Sequence, residues 1–237
     1  MPKTGKRYQN TLAKINRTKL YPIEDALTLL KEFPPAKFDE TVEIHLRTGL
    51  DPRHAEQQVR SSTVLPHGLG RPMRILVFTE GETVKAAQEA GADHVGSDDL
   101  IKEVEGGFID FDVAIATREM MGKVGKLGRV LGPRGLMPNP RSGTVVNGED
   151  IAKTVDEAKR GRVEFRIDRL ANLHVSIGKL SFEQDQLREN LAAIVEAINT
   201  ARPQDTKGQY IRSATLTTTM GPGIKLDVLD TLALKVV

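Results

Sequence analysis

The sequence predicts two kinds of domain in one chain: an α+β domain assembled from both chain ends, and an α/β domain inserted between them. Two observations carry this expectation. Strand-like segments in the middle are almost wholly apolar, whereas those towards the ends alternate polar and apolar residues. Helical patterns alternate regularly with strands only in the middle. The expected division is 1–68 plus 160–237 for the split domain and 69–159 for the insert. Two domains in series is the competing arrangement; the turn-rich SSTVLPHGLGRP (61–72) offers an entry point for an insertion.

The elements follow in chain order. PIEDALTLLKEF (22–33) predicts a helix with Pro22 near its start. In FDETVEIHLR (38–47), Val42, Ile44 and Leu46 share one face of a strand, and Thr41, Glu43, His45 and Arg47 share the other. RILVF (74–78) and DVAIA (112–116) read as strands buried on both faces, as in a parallel sheet covered by helices. Between them lie a helix in GETVKAAQEAGA, a short strand at HVGS and a helix in DDLIKEVEGG. NGEDIAKTVDEAKRG (147–161) predicts a further helix, with Asn147 as its cap and Gly161 as its stop.

Alternation then returns. RVEFRID (162–168) sets Val163, Phe165 and Ile167 against Arg162, Glu164, Arg166 and Asp168. NLHVSIG (172–178) sets Leu173, Val175 and Ile177 against Asn172, His174 and Ser176. FEQDQLRENLAAIVEAINTA (182–201) carries Leu187, Leu191, Ile194 and Ile198 at helical spacing. In QYIRSATLTTTMG, Ser213, Thr215, Thr217 and Thr219 form a ladder of hydroxyls on one strand face. The end segments thus predict an antiparallel sheet with one apolar face under two covering helices and one wet, polar face.

Composition narrows the function classes. The chain has 237 residues, 39% hydrophobic and 28% charged, the balance of a soluble globular protein. No run approaches the ~20 apolar residues of a membrane helix. The start, MPKTGKRYQN, lacks the apolar core of a signal peptide, so a cytoplasmic address is expected. There is no cysteine, which excludes disulfides, thiolate metal sites and cysteine nucleophiles. The five histidines are scattered without HxxxH or HExxH spacing, so no metal site is expected.

The net charge of +2 conceals two basic zones. Residues 1–20 hold Lys3, Lys6, Arg7, Lys14, Arg17 and Lys19 and no acid. Residues 118–141 hold Arg118, Lys123, Lys126, Arg129, Arg134 and Arg141 against Glu119 alone. The remainder is therefore acidic overall. Concentrated basic zones of this kind suit a polyanionic partner, although a basic N-terminus is also a common solvated tail.

The polar sheet face carries Arg47, Arg166 and His174 beside the hydroxyls, all donors suited to phosphate and ribose oxygens. With seven Phe, three Tyr and no Trp, the chain is poor in platforms for stacking single-stranded bases. A folded RNA read by shape and backbone fits better. An antiparallel sheet with one merely hydrated face needs no function at all. In TTTMGPG (217–223) the strand must break at Gly221-Pro222-Gly223, leaving Met220 either exposed for contact or tucked into the core. Phe38, after Lys37, has the same two readings.

The glycine-rich stretch in the middle is the last feature. Gly122, Gly125, Gly128, Gly132 and Gly135 recur among the bases of the second zone, and no acid lies between Lys123 and Asn147. Neither GxxxxGK[ST] nor GxGxxG is present, and no nucleophile elbow or paired-carboxylate site stands out. A nucleotide-dependent enzyme then rests on α/β appearance alone, which does not imply function.

GKVGKLGRVLGPRGLMPNPRSGTVV (122–146) resembles the signature of the large-subunit ribosomal protein L-one family, in its bacterial branch. The resemblance extends to GKRY, FDETVEIHLRTGLDPR, NGEDI, VEFRID and SATLTTTMGPG, and so covers nearly the whole chain. It implies a split α+β domain that binds rRNA, interrupted by a Rossmann-like three-layer α/β domain. The implied rRNA contacts are Lys37, Phe38, Thr41, Arg166, Asp168, Ser213, Thr219, Met220 and Gly221, to which the hydroxyl ladder adds Thr215 and Thr217. The implied partners are large-subunit rRNA in the mobile stalk of the ribosome, deacylated tRNA leaving the exit site, and the protein's own operon mRNA, whose translation it represses. A free monomer without cofactor or metal is expected. The signature falls in the inserted domain, so Lys123, Lys126, Arg129, Arg134 and Arg141 form a possible second nucleic-acid contact; close packing and turns are the alternative role of its glycines. The apolar tail IKLDVLDTLALKVV (224–237) is longer than in many members and either adds a strand or lies disordered. A general polyanion binder driven by the basic zones alone is the blander alternative.

Overall fold

The computed structural model describes residues 5–34, 36–204, 206 and 208–235; Lys3 of the basic N-terminal zone and the last two residues of the apolar tail lie outside the described residues. The chain opens with helices α1 (Lys6–Ala13) and α2 (Ile23–Lys31) and strands β1 (Thr41–Thr48) and β2 (Arg60–Val64). The middle runs β3 (Ile75–Phe78), α3 (Thr83–Glu89), β4 (His94–Gly96), α4 (Asp98–Glu105), β5 (Val113–Thr117), α5 (Met121–Val124), α6 (Gly128–Leu131), β6 (Val145–Val146) and α7 (Ile151–Gly161). The chain closes with β7 (Arg162–Arg166), β8 (Asn172–Lys179), α8 (Gln184–Thr200), β9 (Ile211–Thr218), β10 (Ile224–Leu226) and α9 (Val228–Ala233).

These elements form two compact units, Met1–Gly70 with Val163–Val237, and Arg71–Arg162. The borders differ from the expected 68/69 and 159/160. At the second, α7 runs on through Gly161, whose φ of 102° is open to glycine and ends the helix.

In the first unit a four-stranded antiparallel sheet has the order β10-β9-β1-β8. Alternation decides its faces. Val42, Ile44 and Leu46 point inward with Leu173, Val175, Ile177, Ala214 and Leu216, all at most 2% exposed. Against them pack Leu27 and Leu30 of α2 and Leu187, Leu191, Ile194 and Ile198 of α8. Each fully buried aliphatic side chain of this kind contributes about 1.5–3 kcal/mol. A reciprocal capping box of Glu183 and Gln186 starts α8 and fixes which helical stripe faces the sheet. Asn190, the one polar side chain that α8 buries completely, is satisfied on all sides. It donates to Ile177 O at 2.8 Å and Gly68 O at 3.0 Å, and accepts from His67 N at 3.0 Å.

Two expectations about this sheet change. The segment 162–168 is not one of its strands: β7 pairs with β2 in a separate two-stranded sheet. Ile167 N donates to Val59 O at 2.9 Å, and the segment meets β8 only at its end, through the isolated Ile167–Leu173 bridge and the bonds of Asp168 to Asn172. Part of SSTVLPHGLGRP is therefore strand rather than turn. The apolar tail supplies the missing edge: β10 pairs with β9, and α9 follows it with Asp227 accepting from Leu229 N at 2.8 Å.

In the second unit the sheet is parallel, in the order β4-β3-β5-β6. Leu76 and Phe78 face a cluster holding Leu100, Ile101 and Val104 of α4; Ile75 and Val77 face Ala87 of α3 and Ile151, Val155 and Ala158 of α7. Both faces are buried, which explains why these strands are apolar throughout. Asn147 does not cap α7. It precedes a short 3-10 turn, Gly148–Asp150, without a side-chain cap bond, and α7 proper starts at Ile151. The glycine-rich stretch is not an open loop either. Residues 121–131 wind through α5, a 3-10 turn and α6, burying Val124, Leu127 and Leu131. No described helix is long and apolar enough to cross a membrane.

Candidate nucleic-acid interface

The polar face of the antiparallel sheet follows from pairing. β1 lies between β8 and β9, so Glu43, His45 and Arg47 sit beside Ser176, His174 and Asn172 on one side, and beside Thr217, Thr215 and Ser213 on the other. Lys225 of β10 lies opposite Thr215. The hydroxyl ladder thus borders imidazoles and cations, with Glu43 the one acid among these residues.

At the Thr41 end, β9 runs into the turn 219–223 and a tightly bonded corner forms. Thr41 N donates to Thr219 Oγ1 at 3.0 Å, and Thr219 N donates to Thr41 O at 3.0 Å. Lys179 Nζ donates to Thr41 Oγ1 at 2.9 Å. Thr217 Oγ1 donates to Gly221 O at 3.2 Å, and Gly221 N donates to Thr218 O at 3.1 Å. Met220 itself is 54% exposed, and Phe38 on the approach to β1 is 53% exposed. The two large apolar side chains are thus offered to solvent and not tucked into the core. Lys37 beside Phe38 is also exposed.

What holds this corner is a residue that sequence reading passed over. Glu40 is 3% exposed. Its carboxylate accepts from Met220 N at 2.9 Å and from Arg7 Nη1 at 3.3 Å, and also from the Thr218 hydroxyl and the Ala36 amide. Burial alone would raise its pKa, but these donors outweigh burial and hold it below the ordinary carboxylate value. One buried anion therefore binds the segments that carry Phe38 and Met220. Glu40 has the inward parity of Val42, Ile44 and Leu46, and an acid at an inward position was the available signal.

A second feature crosses the middle of the face. His45 Nδ1 and His174 Nδ1 lie 2.7 Å apart, with ring centroids 4.9 Å apart. Glu43 Oε2 is 3.8 Å from His45 Nε2, and Asp168 Oδ2 is 3.5 Å from His174 Nε2. One nitrogen of the short contact must donate and the other accept, so both rings cannot be protonated together. Burial first, and the neighbouring His174 second, push His45 below the ordinary histidine value despite the opposing Glu43.

The expected site residues therefore fall into two groups. Thr41, Thr217, Thr219, Met220 and Gly221 meet at one corner, with Lys37 and Phe38 leading into it. Ser213 and Thr215 continue along β9. Arg166 and Asp168 belong to the other end. Arg166 is exposed at the end of β7, and Asp168 serves the turn before β8. Asp168 accepts from Leu170 N at 2.8 Å, from Asn172 N at 2.7 Å and from Asn172 Nδ2 at 3.2 Å. Burial would raise its pKa, and these donors together with His174 lower it.

In the second unit, Lys126, Arg129, Arg134 and Arg141 are exposed along the glycine-rich segment. Lys123 differs: its Nζ bonds Glu80 Oε1 at 2.5 Å and Asp98 Oδ2 at 3.1 Å, contacts that raise its pKa and occupy it. Among the described residues, no group of three or more His, Cys, Asp or Glu could hold a metal ion.

Comparison with known proteins adds to this geometry. The model of the Ribosomal protein L1p/L10e family matches residues 30–222. The chain is 58% identical over 228 residues to the large ribosomal subunit protein uL1 of Chloroflexus aurantiacus, covering 96% of each chain. It is 56% identical over 236 residues to the protein of the same name from Chloroflexus aggregans, covering 99% of this chain and 100% of that one. With the uL1 protein of Thermomicrobium roseum the identity is 54% over 232 residues, covering 98% and 96%. The match spans both the sheet corner and the glycine-rich segment, and on it the chain belongs to the Ribosomal protein L1p/L10e family.

Proposed function

We propose that this chain binds a folded site of large-subunit rRNA through the polar sheet face of its first unit, and so helps form the mobile stalk of the ribosome. As a family member it is a structural constituent of the large ribosomal subunit and not an enzyme. In this reading the first unit is a split α+β RNA-binding domain and the second a Rossmann-like three-layer insert. The protein works in the cytoplasm within the large subunit and is monomeric when free. It needs no cofactor.

The observation that supports the reading best is the corner fixed by Glu40. Phe38 and Met220 expose apolar surface beside hydroxyls whose bonding partners are already set. Folded RNA presents ribose hydroxyls, phosphates and unstacked bases, and such a corner supplies polar partners and apolar contact together. Lys37, Phe38, Thr41, Ser213, Thr215, Thr217, Thr219, Met220 and Gly221 are the proposed contacts. Arg166 and Asp168 serve the opposite end, Arg166 as a phosphate donor and Asp168 by holding its turn. The same surface would take a similar fold in the protein's own operon mRNA and repress its translation.

The four exposed cations Lys126, Arg129, Arg134 and Arg141 favour a second contact, with deacylated tRNA as it leaves the exit site. Lys123, already paired with Glu80 and Asp98, would join that contact only by exchanging those partners.

The test compares binding of the purified protein to an rRNA stalk fragment and to a scrambled RNA of equal length across a salt series. The reading expects the stalk fragment to win by orders of magnitude, with the gap persisting as salt rises. Equal binding of both RNAs, fading steeply with salt, would leave only a general polyanion binder.

A further inference from the structure

The end of the sheet opposite the Met220 corner carries a cleft of about 530 Å³. Four arginines are among the residues that line it: Arg47 of β1, Arg53 of the loop after it, Arg169 of the turn between β7 and β8, and Arg212 of β9. All four residues are exposed, and none has an ion-pair or side-chain hydrogen-bond partner among the described residues. A single carboxylate, Asp51, shares the cleft; it accepts from Arg53 N at 3.0 Å and lies 3.9 Å from His54. Three separate stretches of chain thus bring four like charges to one depression. With Asp51 the one carboxylate beside four arginines, the cleft carries excess positive charge that favours an anionic ligand.

The backbone is shaped to present them. A Cβ on Gly49 would lie 2.3 Å from Gln209 O, so the backbone around residue 209 can come this close only over glycine; Arg212 Nε lies 3.2 Å from the same point. Ala171 is the one non-glycine residue with positive φ among the described residues, at 65°. Thr48 N and Thr48 Oγ1 both donate to its carbonyl, at 2.8 and 2.9 Å. Strain of this sort persists where the surroundings over-determine it, and it gathers at binding sites. Here the strained turn projects Arg169 and the 76% exposed Leu170 at the cleft's rim.

The cleft is continuous with the hydroxyl face, because Arg47 pairs across the sheet with Ser213 and with Asn172. From Thr41 to Arg47 the strand spans roughly 20 Å at ~3.3 Å per residue. Guanidinium forks match phosphate oxygens two at a time. We propose that this cleft anchors the phosphodiester backbone of the RNA whose specific features meet the Met220 corner, so that the strand crosses the whole polar face. The inference rests on the rRNA reading of that face and adds a second, sequence-blind grip to it.

The test uses the full chain with the rRNA stalk fragment and the scrambled RNA across a salt series. Wild type is compared with Arg53→Gln/Arg169→Gln, Arg53→Lys/Arg169→Lys and, as a control on α3, Lys85→Gln. The glutamine pair should weaken both RNAs alike and flatten the slope of log affinity against log salt by about 1.5–2. The lysine pair should keep the wild-type slope, as should Lys85→Gln. The ratio between the two RNAs should stay within about twofold of wild type, since phosphate contacts carry no sequence information. A glutamine pair with the wild-type slope, against a wild type that still prefers the stalk fragment, would overturn the anchor while leaving the rRNA reading intact. Failure of the rRNA reading shows separately, as a wild type without preference between the RNAs.

Discussion

The buried carboxylate of Glu40 accepts a hydrogen bond, at 2.9 Å, from the backbone amide of Met220, whose own side chain is 54% exposed. A buried anion thus orders an exposed apolar residue 180 positions away in the chain. The same carboxylate takes the Ala36 amide just before Lys37 and Phe38, so both sides of the proposed RNA corner answer to one group.

Replacing Glu40 should therefore cost stability and binding together. Glu40→Gln keeps the shape but loses the charge, and its amide group meets Arg7 and the Thr218 hydroxyl as a poorer partner. A loss of about 1–3 kcal/mol is expected in denaturant unfolding, the range for disturbing a buried charge-assisted bond. The pH dependence has a definite sign. The folded pKa lies below the ordinary 4.5, so the contribution is complete above that value and disappears as the pH falls below it. Wild type should lose its advantage over Glu40→Gln in that acidic window; a constant difference from pH 6 to the acid limit would refute the assignment.

Gly221 is constrained by this arrangement and not by its dihedral angles. A Cβ there would lie 2.3 Å from Thr218 Oγ1, the hydroxyl that serves Glu40. Gly221→Ala should displace Thr218 and cost about 1–3 kcal/mol, the usual range for overpacking. Its affinity for the stalk fragment should fall as well. Wild-type unfolding and binding in this variant would show that the corner yields freely.

His45 gives a second pH signature. Its folded pKa is pushed below the ordinary 6.5 by burial and by His174, so the unfolded chain takes up the proton first. Stability from this source is full above 6.5 and is lost as the pH falls through the folded pKa. His45→Gln should therefore show a flatter stability profile than wild type as the pH falls below 6.5. Parallel profiles would mean that the 2.7 Å contact with His174 leaves proton binding unchanged.

Much of this molecule is legible from period alone. The alternation in 38–47 assigned Val42, Ile44 and Leu46 to the core and left Thr41, Glu43, His45 and Arg47 on the wet face, because burial on one side selects side chains two by two. The apolar runs of β3 and β5 announced a sheet covered on both faces for the same reason. Partner choice was not legible. The residues of β7 alternate like those of β8, yet its backbone pairs with β2, since alternation names a face and not a neighbour. Glu40 and the four-arginine cleft escaped because their meaning lies in contacts between distant segments. Arg47 stands out on the polar face, but Arg53, Arg169 and Arg212 look like ordinary surface charge until the fold brings all four to one depression. In the glycine-rich segment the glycines draw the eye, while Val124, Leu127 and Leu131, spaced three and four apart, form a buried helical stripe.

The central claim is that the corner carrying Met220 recognises one folded RNA. Met220→Asp tests it most directly, because the side chain is exposed and its loss should leave unfolding within about 0.5 kcal/mol of wild type. The measurement is the affinity of this variant for the rRNA stalk fragment relative to a scrambled RNA, at one fixed salt concentration. The account predicts a preference reduced at least about 30-fold, the effect of losing a contact worth ~2 kcal/mol. An undiminished preference in the folded variant would contradict it.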